Sequence, residues 1–160
     1  MLVYLDIYVA MTIGAFVALL MLRTKSGEQI DSFEQISGLS TTRPALAWCL
    51  LAVMFSLAGI PPLLGFWGKF VVFQAAVEAD MLALAAIGIG ASVIGAFYYL
   101  KFIKTMFFDE PNEDVATSSP VSHWVVLGLC AVYISPLGYM ATPWLGAMAD
   151  KAASALFYII

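Results

Sequence analysis

Lys69 is the residue with the most chemistry to offer. It stands within FWGKFVVFQAAV, past the pair Pro61-Pro62, and is the sole charged residue between Pro44 and Val77. A charged lysine held mid-membrane costs about 3 kcal/mol or more. Burial penalises its charged form, so such a group can release and regain a proton near neutral pH. The competing reading is a side chain that snorkels to the interface. Glu78, at the polar end of the segment, is about 13 Å further along a helix, beyond comfortable reach of the lysine stem.

The stretch before Lys69 reads as a helix break. Gly59-Ile60-Pro61-Pro62 is followed by Gly65 and Gly68, and adjacent prolines remove two backbone donors and clash with preceding carbonyls. Backbone groups freed within a membrane are tolerated only against protein or a wet cavity, and transporters place ion sites at such breaks. Gly59, Pro61, Pro62 and Gly65 are therefore expected to shape a functional hinge beside Lys69, with a purely architectural break as the alternative. Ser56 either bonds a freed carbonyl or a water, or is a satisfied helix serine.

The other polar residues in apolar surroundings carry weaker signals. Asp6 reads as interfacial. Tyr98 and Tyr99, just before Lys101, read as an aromatic belt, with a channel-facing Tyr98 as the alternative. His123, beside Trp124, reads as a loop histidine near the interface. Cys49 and Cys130 lie in apolar runs and read as small core hydrophobes. The sequence contains no phosphate loop, dinucleotide motif, haem or iron–sulfur ligand set, or nucleophile triad, so it offers nothing to carry electrons.

These residues must be positioned by lipid-embedded helices. Of 160 residues, 62% are hydrophobic and 11% charged, with a mean hydropathy of +0.94; a soluble domain carries about 25% charged residues. The net charge of −4 comes from loops, and there is no basic patch for nucleic acid. The first apolar run lacks a basic leader and is followed by Arg23 and Lys25, which suits a retained span rather than a cleaved signal.

The expected fold is all-α, a polytopic membrane helix bundle forming one domain over residues 1–160. Spans are expected over about 2–22, 44–77 (broken near 59–65), 81–104 and 121–142, with Pro136 kinking the last and 143–160 a terminal or interfacial helix. Between the first two, Ile30, Phe33, Ile36 and Leu39 recur at helical spacing, which predicts a short amphipathic surface helix. As one straight helix the 44–77 run would be about 50 Å long, against a hydrocarbon core of roughly 30 Å; it is one broken crossing or a tight hairpin. The basic residues decide. Arg23, Lys25 and Arg43 share one loop and Lys101 and Lys104 another, while Glu78-Ala79-Asp80 has none. A single broken crossing puts both basic loops in the cytoplasm, as the positive-inside rule requires. Four spans follow, with both termini outside and the second span discontinuous. On the third span Gly88 and Ser92, and Ala91 and Gly95, make small-residue pairs that permit close helix contact.

The segment SLAGIPPLLGFWGKFVVFQAAVEA (Ser56 to Ala79), with IYVAMTIGAF, GLSTTRP and SVIGAFYYLKFIKTMFF, resembles the antiporter-like membrane subunits of respiratory complex I, most closely the subunit N/NADH dehydrogenase subunit 2 family. The Gly-Ile-Pro-Pro…Gly-Phe-x-x-Lys-Phe pattern is specific, and the resemblance extends to about Pro111. It implies a membrane-arm subunit of NADH:quinone oxidoreductase, an enzyme complex that couples NADH–quinone electron transfer to proton translocation. It implies that Lys69 transfers protons in a half-channel. It further implies no cofactor in this chain, NADH, flavin, iron–sulfur clusters and quinone being handled by other subunits. Partners would be the other membrane-arm subunits and the lipid bilayer. The expected location is the bacterial cytoplasmic (inner) membrane, or the mitochondrial inner membrane for an organellar chain. Family members have about fourteen spans, so this chain corresponds to roughly the last four. The rival readings are a proton-path subunit of a multisubunit cation/proton antiporter, which has a similar Gly-Phe-x-x-Lys stretch, and a non-catalytic scaffold in which Lys69 is a paired structural charge.

Overall fold

Long apolar runs without proline become long helices. The computed structural model describes residues 2–112, 114–116 and 119–157, and two such helices frame it. Helix α1 (Leu2–Leu20) has 19 residues, about 28 Å of axis. Helices α2 (Leu39–Thr42), α3 (Pro44–Ala58), α4 (Leu64–Glu78) and α5 (Leu82–Phe108) follow, then α6 (Val121–Ile134) and α7 (Thr142–Phe157). Both α1 and α5 are long and apolar enough to cross a membrane. The described residues are helix, turn and loop with two isolated β-bridges, so the all-α expectation holds.

Helices α3 and α4 follow one another along their neighbours rather than folding back. On α1, Gly14 faces Val53 of α3, Met11 reaches Ser56 near its end, and Ile7 and Tyr4 lie against Gly68 of α4. On α5 the order is also antiparallel, with Phe107 edge-on to Trp48 of α3, centroids 5.4 Å apart, and Gly88 against Phe73 of α4. A hairpin would put α3 and α4 side by side and break this progression. Helix α6 runs antiparallel to α1, with Cys130 beside Gly14 and the Tyr133 hydroxyl donating to the Asp6 carboxylate. Ile7, Met11, Leu46, Leu50, Leu64 and Met106 are among the buried side chains that join these helices.

Several boundaries differ from the sequence expectation. Helix α5 continues through Lys101 and Lys104 to Phe108, and Lys104 pairs with Asp109 at 2.5 Å; two lysines pointing outward do not stop a helix, which ends at the extended Asp109 (φ −91°, ψ 161°), with Glu110 beyond it kept from the helical region by Pro111. Helix α6 ends at Ile134 instead of running to 142, because Ser135 precedes Pro136 and is extended (φ −71°, ψ 173°). A 3-10 turn over Pro136–Met140 then leads into α7.

The surface helix expected between α1 and α3 is absent as a continuous element. A 3-10 turn (Glu34–Ile36) and α2 take its place. Within it the backbone bonds elsewhere: Ile30 N–H to Leu22 O at 3.3 Å, and Asn112 N–H to Ser37 O and Gly38 N–H to Thr105 O, both 3.0 Å; just before it Lys25 N–H bonds to Asp114 O and Ala116 N–H to Arg23 O, both 2.8 Å. Groups committed to a neighbouring segment are unavailable to a helix ladder. The 34–42 stretch then meets α3 at a bend of 114°.

These bonds gather Arg23, Lys25, Arg43, Lys101 and Lys104 at one end of the bundle. Lys101 lies 5.3 Å above the Phe33 ring. Arg43, buried at 6% exposure, donates to Met21 O and to Ser119 Oγ, each at 2.8 Å. Burial pushes its pKa below the usual arginine value, but a guanidinium remains charged in proteins and sits well beside carbonyls at the end of α1. Arg43→Ala is expected to remove about 1.5–3 kcal/mol, the range for bonds to a charged group. Thermal unfolding of the detergent-solubilised full-length parent measures this, and an unchanged midpoint would contradict the clamp.

Candidate functional site

The helix break arises from a cap on each side. Gly59 adopts φ +83° and donates to Phe55 O and Ser56 O, while Ile60 N–H also returns to Phe55 O. This is a left-handed C-cap, which glycine enters without the Cβ penalty. Past the Pro61-Pro62 pair, α4 starts at Leu64, and the Gly65 N–H donates to Ser56 Oγ at 3.1 Å. The Ser56 hydroxyl, fully buried, in turn donates to Met11 Sδ at 3.0 Å. Ser56 thus belongs to the break itself and bridges the last turn of α3 to the first turn of α4. A Cβ on Gly65 would lie 1.9 Å from Ser56 O, so the two half-helices meet at van der Waals limit.

The freed carbonyls at the end of α3 receive Lys69. Its Nζ donates to Leu57 O at 2.8 Å and Ala58 O at 3.3 Å, reaching back from the second turn of α4. A helix C-terminus carries roughly half a negative charge, so the ammonium faces a partial charge rather than a carboxylate. Among the described residues the ion pair formed is Lys104–Asp109; Lys69 is held by carbonyls alone. Such a holder stabilises the cation while leaving it able to become a neutral amine, which still has hydrogens to donate.

Lys69 is half-buried and lines two cavities. One, of about 270 Å³, lies against α1 and α5 and includes Tyr4, Tyr8, Met11, Ser92 and Tyr99. The other, of about 620 Å³, runs along α4 and α5 from Gly59 past Lys69 and Phe73 to Gln74 and Glu78. Its walls are chiefly Phe66, Phe70, Phe73, Ile89 and Val93.

The structure brings together Gly59, Gly65, Ser56 and Lys69, with Pro61 and Pro62 forming the exposed turn between the half-helices. Gly59 is itself against the lysine stem, a Cβ there meeting Lys69 Cδ at 3.1 Å. Asp6 is tied to Tyr133, and His123 stays on the first turn of α6; neither lines a Lys69 cavity. Tyr98 is 59% exposed, packs on Phe97 and lines neither Lys69 cavity. Tyr99 lines the smaller cavity instead; sequence reading took it for a belt residue and Glu78 for the polar end of the segment, and passed over Tyr4, Tyr8 and Gln74. A signal existed: Gly88, Ser92, Gly95 and Tyr99 recur every three or four residues, which puts them on one helix face.

Comparison with known proteins agrees with this architecture. A family model described as "NADH:quinone oxidoreductase/Mrp antiporter, TM" matches residues 1–95. NADH-quinone oxidoreductase subunit N of Erythrobacter litoralis is 68% identical over 157 residues, 98% of this chain and 32% of that protein. The subunit N of Rhizorhabdus wittichii is 48% identical over 155 residues, 96% of this chain and 32% of that protein. A chain in the structure of respiratory complex I from Thermus thermophilus with bound aureothin superposes with a TM-score of 0.74 at 29% identity, covering 88% of this chain and 32% of its own length. This chain spans about a third of the length of the curated relatives it matches. With more than half of its residues under the family model, the chain belongs to the transmembrane family of NADH:quinone oxidoreductase and Mrp antiporter subunits.

Proposed function

We propose that this chain corresponds to the C-terminal portion of a subunit N-type membrane subunit of NADH:quinone oxidoreductase, and that Lys69 is the proton-exchanging group of its half-channel. The carrying observation is the Lys69 ammonium at the helix break, bound to the Leu57 and Ala58 carbonyls with a cavity on either side. Four crossings fit the arrangement: α1, the α3–α4 pair, α5 and α6. The basic end faces the cytoplasm and both termini face outward, in a bacterial cytoplasmic membrane. Gly59, Pro61, Pro62 and Gly65 keep the break open, and Ser56 fixes its width. Redox groups and quinone reside in other subunits of the complex, whose membrane arm supplies this chain's neighbours.

Chemically, Lys69 cycles between ammonium and amine. As the ammonium it is drawn to the end of α3; on losing the proton that attraction weakens while hydrogen bonding continues. A proton arriving by the tyrosine-lined cavity is thus retained briefly and released into the other. The absence of a carboxylate bonded to Lys69 among the described residues speaks against the scaffold reading. Relatives named subunit N favour the oxidoreductase over the cation/proton antiporter. The test is proton translocation by membrane vesicles containing a full-length parent with Lys69→Ala. Assembled complex that has lost most of its pumping is expected; normal pumping by assembled complex overturns the proposal.

A further inference from the structure

We infer that Glu78 is the proton-release group at the outer mouth of the Lys69 cavity and that Gln74 positions it. This inference rests on the proton-transfer reading of Lys69. The larger cavity is apolar over most of its wall, but its polar lining is ordered. Lys69 and Ser92 lie along its length, and Gln74 and Glu78 lie at the end of α4. On α4 two adjacent rows form the wall, one through Lys69, Phe73 and Val77 and the other through Phe70, Gln74 and Glu78, as a four-residue helical spacing demands.

Lys69 and Glu78 are separated by about 13 Å of helix axis, too far for direct transfer. The space, about 620 Å³, is an open groove bordered by the exposed side chains of Phe70, Val77, Ile89 and Val93; it has the volume for a file of waters at ~30 Å³ each, and water enters only where polar partners exist. Lys69 and Ser92 provide them at one end of the groove and Gln74 and Glu78 at the other. Gln74 Nε2 donates to Glu78 Oε1 at 2.9 Å. That bond holds the carboxylate at the cavity's end and leaves Oε2 to take a proton. The proton leaves Lys69 Nζ, passes through water to Glu78 Oε2, and departs to the outer solution, restoring the carboxylate. Asp80 lies at the same end of the bundle but does not line the cavity, and the linker there carries no basic residue.

The experiment uses the assembled complex in vesicles with Glu78→Gln, Glu78→Asp and Lys69→Ala run together. Glu78→Gln is expected to slow pumping at least fivefold per assembled complex and Glu78→Asp to restore more than half of it. Val77→Cys, tested with a membrane-impermeant cationic thiol reagent from the outer face, is expected to react above the Cys49 and Cys130 background and to lose pumping on modification. Parental pumping by Glu78→Gln, or an unreactive Val77→Cys, overturns the inference. If Lys69→Ala is defective while Glu78→Gln is normal, the mouth assignment alone fails; if Lys69→Ala pumps normally, the underlying reading fails with it.

Discussion

Gly65→Ala is expected to prevent assembly of the full-length parent into its complex, although alanine is the better helix former. Glycine-to-alanine replacement inside a helix gains about 1 kcal/mol of propensity. Against that, the new methyl would sit 1.9 Å from Ser56 O and 2.8 Å from Ser56 Oγ. Neither can retreat cheaply, since the carbonyl accepts the Gly59 N–H and the hydroxyl accepts the Gly65 N–H. Overpacking a core costs about 1–3 kcal/mol where side chains can yield, and a backbone obstacle puts this site at or above that range. Gly68→Ala supplies the control. Its Cβ would meet Ile7 Cδ1 and Tyr4 Cδ2 at 3.5 Å, an ordinary contact, so assembly is retained. Quantifying assembled complex in membranes from both variants decides the matter, and equal levels would sink the claim that the half-helices are in backbone contact.

Three replacements at Lys69 separate its two roles. Lys69→Gln keeps a donor of shorter reach for the α3 carbonyls but cannot titrate; Lys69→Arg keeps donors and charge but does not release a proton near neutral pH. Lys69→Ala abolishes both roles and takes the side-chain partner from the half-buried Leu57 and Ala58 carbonyls, a loss of about 1 kcal/mol per bond. The expected pattern is reduced thermal stability for Lys69→Ala, near-parental stability for Lys69→Arg, and at least a tenfold loss of pumping for all three. Lys69→Arg pumping at the parental rate would eliminate the requirement for deprotonation and reduce Lys69 to a helix cap.

Much of this was legible because each signal was strong and local. Gly59-Ile60-Pro61-Pro62 announces a break, and helix ends at Ala58 and Leu64 fall where the missing donors put them. The clustering of Arg23, Lys25, Arg43, Lys101 and Lys104 required a single broken crossing rather than a hairpin, and the progression of contacts along α1 and α5 agrees. What stayed hidden depends on geometry across segments. That Lys69 turns back to Leu57 and Ala58 follows from the angle of the break, for which no residue pattern codes. Tyr99 rather than Tyr98 faces the lysine because of helical phase, and two adjacent tyrosines mask that phase. Ile30, Phe33, Ile36 and Leu39 have the spacing of an amphipathic helix, yet Asn112 and Thr105 take backbone bonds from Ser37 and Gly38 within that stretch, and those partners lie too far along the chain for local pattern to reveal.

That last arrangement bears on biogenesis. The bridge between Thr24 and Val115 joins residues about ninety positions apart, and the Lys25–Asp114 and Arg23–Ala116 bonds share that separation. At a synthesis rate of ~5–20 residues per second, the strand-like stretch after α1 waits roughly 5–18 seconds for its partner to leave the ribosome. In that interval its backbone donors and acceptors are open to water or to other chains. Closure also needs both stretches on one face of the membrane, which an even number of crossings between them provides. With the single broken crossing proposed above, both halves of the Thr24–Val115 bridge lie on one face of the membrane, and its closure is among the last contacts this part of the chain makes.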